Sequence, residues 1–481
     1  MTGMWSDYFL LSLLIWSQLA YSASLALTCY LRSLPVNRVD MSEVAALGPG
    51  DFPYVVLFFP VLRELEATMR TTLRSLSRLD YPRDRFRVVA IPNADDELTI
   101  RALGKLAGEF PFLEVREVPA TDDPRWQVVW DAWDRCDKAY WWHRGRRAGV
   151  RDLPPKKTRQ LVYAFYSMVR DLGPEQADFL VNYIDADSCP PPDHFLAAAV
   201  GIRHYDVLQS TNIAGNLCDT LAASFHAMDH MAWDGQTYPH LSADGRQPYW
   251  VLGKGLFFRA SDLVALGGFH PWLTIEDPEV GMRFWVNGRR LGIIDNPLIE
   301  EVPTTFARGI TQRKRWVAGF FQSLGSPLRE MGMTPLQRAR AWLNFLPCLS
   351  MSANTVGLPV GLWALWHWWI GSDLVPLWLV YLCAFNVAWL TALLATQYAS
   401  VWRRSALVLA TRRERAGYLL RVNPLFLLCW WLFWIVPLFI GFRMYLRDGG
   451  LAWERTVKIN ANNDLILEKT GLLDERRTKE A

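Results

Sequence analysis

The sequence predicts a Rossmann-like α/β domain, a mixed sheet with helices on both faces, joined to α-helical transmembrane segments. Three observations carry that expectation. Between residues 51 and 330 short β-rich runs alternate with helical stretches, the pattern of a sheet covered on both sides. Charge-free apolar runs stand at both ends and leave a polar middle, although 51% of the 481 residues are hydrophobic. The seven cysteines are scattered with no CxxC pair, which fits a reduced, cytosolic middle domain.

The elements follow in order. Residues 8–31 carry no charge, more than the roughly 20 residues that cross a bilayer. A signal peptide is the rival reading, but the run is too long and no Lys or Arg precedes it. Arg32 and Arg38 follow at once and put its C-terminal end on the cytoplasmic side, so residues 1–34 read as an anchor. Residues 54–59 form a buried strand closed by Pro60, and 64–79 have helical spacing. The next strand is 86–91, then a helix over 98–110 and a strand over 113–118. A segment rich in Trp and Arg, 126–157, interrupts the alternation. With Trp141, Trp142, Arg144, Arg146 and Arg147, it is expected to form a surface touching membrane or acceptor. A helix over 158–172 and a strand over 179–184 then lead straight into Asp185-Ala186-Asp187. In such sheets ligands gather at the carboxyl ends of the strands.

Beyond the domain of residues 50–335, three further charge-free runs cover 341–372, 374–402 and 422–442. Pro347 and Pro359 point to a kinked or interfacial part of the first. The connector 403–421 holds six arginines and one glutamate and belongs on the cytoplasmic side. Residues 336–448 are thus expected to hold about three spans, followed by a charged tail, 449–481. Four spans in all would leave the middle domain inside and the tail outside. A net charge of only +3, with no basic run interleaved with aromatics, argues against nucleic acid as a partner.

Several clusters carry chemistry. Asp185 and Asp187, one small residue apart at a strand end, can hold a hard divalent cation. The plain alternative is a strand-end turn. Gly253 and Gly255 around Lys254 allow close backbone approach to a ligand, or simply a turn. Asp277, with Glu276 and Glu279 beside it, is a candidate general base, or ordinary capping of a helix start. Arg313 and Arg315 beside Trp316 offer phosphate grips and a stacking face, or an interfacial belt ahead of a membrane segment. His226 and His230 lie at i, i+4 without an HExxH, so a helix-surface pair is expected.

The order of these clusters resembles the membrane-embedded family 2 glycosyltransferases, which include cellulose, chitin and hyaluronan synthases. The resemblance covers roughly residues 52–323 and the arrangement of one leading and several trailing spans. It rests on Asp185-Ala186-Asp187 for a DxD, Glu276-Asp277 for a (T)ED, and Gln312-Arg313-Lys314-Arg315-Trp316 for a QxxRW. The runs from Gly253 to Arg259, Gly267-Gly268-Phe269 and Gly281-Met282-Arg283 also match. The resemblance implies a GT-A fold and inverting transfer from a nucleotide-diphosphate sugar, with UDP the expected carrier. Asp185 and Asp187 would bind Mg2+ or Mn2+, and Asp277, helped by Glu276, would deprotonate the acceptor. Glu64, Asn93, Asp95, Asp185, Gln312, Arg313, Arg315 and Trp316 would contact the donor, with Trp316 also meeting the acceptor. The acceptor would be a polysaccharide or lipid-linked glycan at the inner, plasma membrane, with a homo-oligomer among the expected assemblies.

Two departures stand against the pattern. Where the family has a run like DDGSxD this chain reads Ile91-Pro92-Asn93-Ala94-Asp95-Asp96, so base recognition is altered or falls to Asp95 or Asp96. Ile275 replaces the Thr of TED. Three functional classes therefore compete: a processive synthase, a single-sugar transferase to a lipid acceptor, and a glycosyltransferase-like membrane assembly module without catalysis.

Overall fold

The computed structural model describes residues 2–145, 147–173, 178–242, 245–448, 456 and 458–472, the side chains of 2–8, 10, 242, 346–354 and 448 excepted. The chain opens with α1 (Thr2–Ser33), then β1 (Val55–Pro60), α2 (Glu66–Leu76), β2 (Phe86–Ile91), α3 (Glu97–Glu109) and β3 (Leu113–Val115). Three helices follow, α4 (Gln127–Asp134), α5 (Tyr140–His143) and α6 (Lys157–Leu172). The second half of the sheet is β4 (Leu180–Tyr183), α7 (His194–Gly201), β5 (Val207–Ala214), α8 (Leu221–Trp233), β6 (Leu256–Arg259), α9 (Ala260–Ala265), α10 (Asp277–Val286) and β7 (Leu291–Glu300). Then come α11 (Phe306–Leu324), α12 (Leu328–Met331), α13 (Pro335–Trp369), α14 (Leu377–Arg404), α15 (Arg412–Arg421), α16 (Pro424–Asp448) and α17 (Asp464–Lys469).

The sheet has seven strands in the order β3-β2-β1-β4-β6-β5-β7, with β6 antiparallel to both neighbours and the other pairings parallel. The mixed α/β fold expected from the sequence is the one observed. β1 and β4 are buried along their whole length, as apolar strands covered on both faces must be. One core packs β1, β2 and β4 against α2, α3 and α7. The other packs them against α4, α6 and α10. Because β1 lies between β2 and β4, their carboxyl ends form a switch point, and Asp185 to Asp187 emerge there.

The segment 126–157 is not a surface. Trp126, Trp130, Trp133, Trp141 and Trp142 are all buried, with Trp130 stacked on Trp142 at 5.0 Å between centroids. These large apolar rings fill the core beside α6. Arg144 pairs with Glu330 at 3.6 Å and Arg147 lies 4.7 Å over the Trp272 ring. Arg146 lies outside the described residues.

Among the described residues, three helical stretches are long and apolar enough to cross a membrane: Leu11–Ser33, Leu377–Leu407 and Pro424–Arg447. The other expected span, 341–372, lies mostly in α13, where part of its length is outside the described side chains. α1, α13 and α14 pack together. A polar cluster ties them: Asn386 Nδ2 donates to Gln18 Oε1 at 3.0 Å, and Gln18 Nε2 donates to the Gly357 carbonyl at 2.8 Å. α16 instead lies along α11 and α13. The described residues beyond it, 456 and 458–472, pack back on the α/β domain. Lys458 bonds to Asp187 and α17 to Arg74, so this part of the tail lies against the domain and not on the opposite side of the membrane.

Trp133 is fully buried against Trp130, Trp141, Trp142 and Tyr166. Trp133→Ala is expected to cost about 3–5 kcal/mol, read as a fall in thermal midpoint of the detergent-solubilised protein. A midpoint within a degree of wild type would contradict the core assignment of this segment.

Candidate active site

A cavity of about 250 Å3 opens at the switch point, between the sheet's carboxyl edge and the helices α8, α11 and α16. Asp185, Asp187, Glu276, Asp277, Gln312, Arg315, Trp316 and Glu64 all line it. Sequence positions up to about 250 apart thus share one wall or another of a single space.

One wall is acidic. Asp185 follows β4 and is 42% exposed at its side chain, whereas Asp187 is 3% exposed. Asp187 Oδ2 accepts from the Glu301 backbone N–H at 3.0 Å and from Lys458 Nζ at 2.5 Å. Facing them, α10 begins at Asp277, with Pro278 in the first turn where its missing N–H is harmless. Lys157, at the start of α6, joins the two acidic motifs. Its Nζ donates to Asp185 Oδ1 at 2.8 Å and to the Gly253 carbonyl at 2.6 Å, and lies 3.2 Å from Glu276 Oε1. Gly253 is tightly enclosed, since a Cβ there would lie 3.2 Å from both Glu276 Oε1 and Lys157 Nζ.

The charges set the chemistry. Burial, then the Glu276 carboxylate, push Asp277 up to about 8. Burial pulls the Lys157 ammonium down, but Asp185 and Glu276 more than offset this and raise it. Burial also opposes ionisation of Asp185, and Lys157 and Lys254 more than offset it, leaving its pKa below the usual range. A carboxyl group that holds its proton at neutral pH therefore stands beside a carboxylate that stays ionised.

The opposite wall comes from α11, capped by Thr305 through the Arg308 N–H. Gln312, Arg315 and Trp316 face the cavity. Arg315 Nη2 donates to Thr456 Oγ1 of the tail at 2.7 Å. The two walls touch through Ile275. A Cβ on Gly319 of α11 would fall 2.1 Å from Ile275 Cγ1, so Ile275 fills a space left by a glycine. That contact gives the Thr-to-Ile departure a packing reason.

Three expected donor contacts are not brought to the cavity. Arg313 is fully buried on the other side of α11 and pairs with Asp229 at 2.7 Å. Its guanidinium lies 5.6, 5.2 and 5.0 Å from the ring centres of Trp316, Trp430 and Trp434. Positions 313 and 315 lie about 200° apart around a helix, so both cannot face one space. Asn93 is buried and accepts from Arg159 Nη2 at 2.7 Å, and Asp95 is exposed away from the cavity. Asp96 caps α3 through the Thr99 N–H.

The structure adds residues that sequence reasoning missed. Lys157 gave only a weak signal, a Lys pair after Pro154-Pro155. Lys254, His230, Asp234 and Glu300 form a buried cluster on the cavity wall. Glu300 bonds both the Lys254 ammonium and His230 Nδ1. Far from being a surface pair, His226 and His230 are buried, and burial pushes His230 down to about 4. His230, Asp234 and Glu300 hold ligand atoms within 4.8 Å of one another, but the Lys254 ammonium already answers their charge. Lys458, 271 residues from Asp187, left no sequence signal at all.

The family described as Glycosyl transferase family group 2 matches residues 180–446. A protein of Sulfolobus acidocaldarius described as "Probable glycosyltransferase" is 20% identical over 297 residues, covering 59% of this chain and 53% of that protein. The chain thus spans about half the length of that relative. Among solved structures, the mannosyltransferase PcManGT from Pyrobaculum calidifontis, in complex with GDP-Man and Mn2+, aligns with a TM-score of 0.49 and 16% identity over 91% of this chain and 99% of that one. TarS 1-349 of S. aureus, in complex with UDP-GlcNAc, aligns with a TM-score of 0.33 and 13% identity over 70% of this chain and 87% of that one.

Asp229 carries three bonds at once, from Arg313, Trp430 Nε1 at 2.8 Å and Trp434 Nε1 at 3.0 Å. Asp229→Asn leaves the Arg313 charge buried and unpaired, which is expected to cost about 3–5 kcal/mol in thermal unfolding. The paired change Asp229→Leu with Arg313→Met should recover most of that loss. An Asp229→Asn protein as stable as wild type would contradict the buried pair.

Proposed function

The chain belongs to glycosyl transferase family group 2, and from that premise we propose that it is an inverting transferase. It moves a sugar from a nucleotide-diphosphate donor to a glycan or lipid-linked acceptor at the membrane. The observation that carries this reading is the single cavity that holds Asp185 and Asp187 on one wall, Asp277 facing them, and Arg315 and Trp316 beside the membrane helices. A separate assembly module has no use for a carboxylate kept protonatable near neutral pH beside an ionised one. By family habit the nucleoside of the donor is uridine.

Hard carboxylate oxygens suit Mg2+ or Mn2+. Asp185 and Asp187 fit such an ion through the oxygens left by Lys157 and Lys458. When bound, the ion supplies positive charge to the donor diphosphate. The chain's own groups do the rest. Arg315 and Lys157 meet the negative charge that grows on the departing diphosphate. Asp277 accepts the proton of the acceptor hydroxyl as that oxygen attacks the anomeric carbon from the face opposite the leaving group. Glu276, buried beside Asp277, keeps it protonatable near neutral pH. Trp316 offers the acceptor a flat apolar face at the entrance from the membrane. Residues 1–34 serve as the anchor, 50–335 as the catalytic domain, and 336–448 as the membrane helices. Arg32, Arg38 and the arginines of 403–421 set the domain on the cytoplasmic side of the plasma membrane.

Asp277→Asn is expected to lower transfer about 10²- to 10⁴-fold while nucleotide binding measured by calorimetry stays within about threefold. Unchanged turnover would refute the base assignment. In the wild type, kcat/KM should rise with pH as Asp277 gives up its proton, with a midpoint near 8 in the free enzyme. A profile flat from about pH 6 to 9 would contradict that role.

A further inference from the structure

His230, Asp234, Lys254 and Glu300 stand together on the cavity wall, and the transfer chemistry described above uses none of them. His230 lies in the last turn of α8 and Asp234 just past it, Lys254 sits between two glycines ahead of β6, and Glu300 ends β7. The side chains of His230, Asp234 and Glu300 are 5%, 9% and 4% exposed. Glu300 pairs with His230 Nδ1 and with the Lys254 ammonium. Burial keeps the imidazole neutral, and with Nδ1 turned to Glu300 the proton belongs there. His230 Nε2 is then an acceptor, and it has no hydrogen-bond partner. The Asp234 carboxyl group is not answered by the imidazole either, since its Oδ2 lies 3.6 Å from His230 Nδ1, beyond hydrogen-bond reach. The Trp316 ring, which lines the same cavity, stands 6.0 Å from the imidazole between centroids.

We propose that these four side chains form the subsite for the terminal sugar of the acceptor, and that they select a ring offering hydroxyl groups over one carrying a carboxylate or a phosphate. The inference rests on the glycosyltransferase reading above and adds the chemistry of its acceptor. His230 Nε2, Asp234 and Glu300 present acceptors, and sugar hydroxyls are the donors that fit them. A buried acceptor left without a donor is unfavourable, so an entering hydroxyl is favoured here. Phosphate and carboxylate oxygens only accept, and Lys254, the one cation of the cluster, is already held by Glu300. The same ammonium supplies the charge that a divalent cation would otherwise bring. Position favours the acceptor over the donor sugar. The wall flanks Trp316, a flat face for the apolar side of a pyranose, and Asp277, which takes the acceptor's proton, lines the same space. All four side chains act as binding residues and take no part in bond making or breaking.

The test measures binding without any donor, by saturation-transfer NMR on full-length protein in phosphatidylcholine nanodiscs. The probes are the methyl glycosides of glucose, mannose, galactose and N-acetylglucosamine. Methyl glucuronoside and glucose 6-phosphate serve as anionic competitors, so that an anion held at the Arg315 wall alone displaces nothing. At least one neutral glycoside is expected to bind, and each anion to displace it only at about tenfold higher concentration than a neutral competitor. Asp234→Asn, which keeps the shape and removes the charge, should weaken that glycoside about 10-fold, the loss of one charge-assisted contact. It should also narrow the margin against the anions, which a purely structural role would not do. No neutral glycoside bound, an anion that competes as well as a neutral sugar, or equal affinity in wild type and Asp234→Asn would overturn the subsite. The comparison of neutral with anionic competitors needs no variant, so it decides the matter even where Asp234→Asn is not recovered folded. A wild type that selects the neutral glycoside yet turns over no nucleotide sugar would instead refute the functional reading and leave the subsite standing.

Discussion

The Lys157 ammonium is the contact on which the site's geometry depends. It sits between Asp185, Glu276 and the Gly253 carbonyl, three groups from three different elements. Four carboxyl groups crowd this part of the cavity, and without a cation among them they could not all stay ionised. Lys157 stabilises the charge on Asp185 while Asp277, farther from it and next to Glu276, remains protonatable. One amine therefore keeps one carboxylate ionised and leaves its neighbour protonatable, the difference on which the proposed roles rest. Gly253 helps it do so, because a side chain there would press on the ammonium at 3.2 Å.

A second buried charge fixes where that site lies relative to the membrane helices. Arg313 and Asp229 join α11 to α8, and the indole N–H groups of Trp430 and Trp434 bring α16 onto the same carboxylate. The outward side of α16 stays apolar and exposed, with Leu425, Leu432 and Phe439 among its uncovered residues. The helix thus packs on the catalytic domain along one side and offers the other to lipid. Neighbouring residues of α11 serve opposite ends: Arg313 holds the membrane helix and Arg315 lines the cavity.

Much of this was legible from sequence because it is periodic or local. Alternation of apolar runs placed β1, β2 and β4, and the ends of β4 and of the loop before α10 placed Asp185, Asp187 and Asp277. What failed was facing. A QxxRW run reads as one basic cluster, yet the helical turn sends Arg313 and Arg315 to opposite sides. The Trp-rich segment looked like a surface because charged residues are mixed with its rings, but the rings turn inward while Arg144 stays exposed. Lys458 and the cluster of His230, Asp234, Lys254 and Glu300 depend on contacts between distant segments, which no local pattern records. Ile275 looked like a broken motif and proved to be half of a packed pair with Gly319.

The central claim is that the two acidic motifs and the basic helix serve one donor site. Anomalous diffraction from crystals grown with Mn2+ and a nucleoside diphosphate tests it most directly. The account predicts one Mn2+ about 2.1 Å from carboxylate oxygens of Asp185 and Asp187, with the diphosphate reaching toward Arg315 and Lys157. A Mn2+ held instead by His230, Asp234 and Glu300, with nucleotide absent from the Arg315 wall, would contradict it.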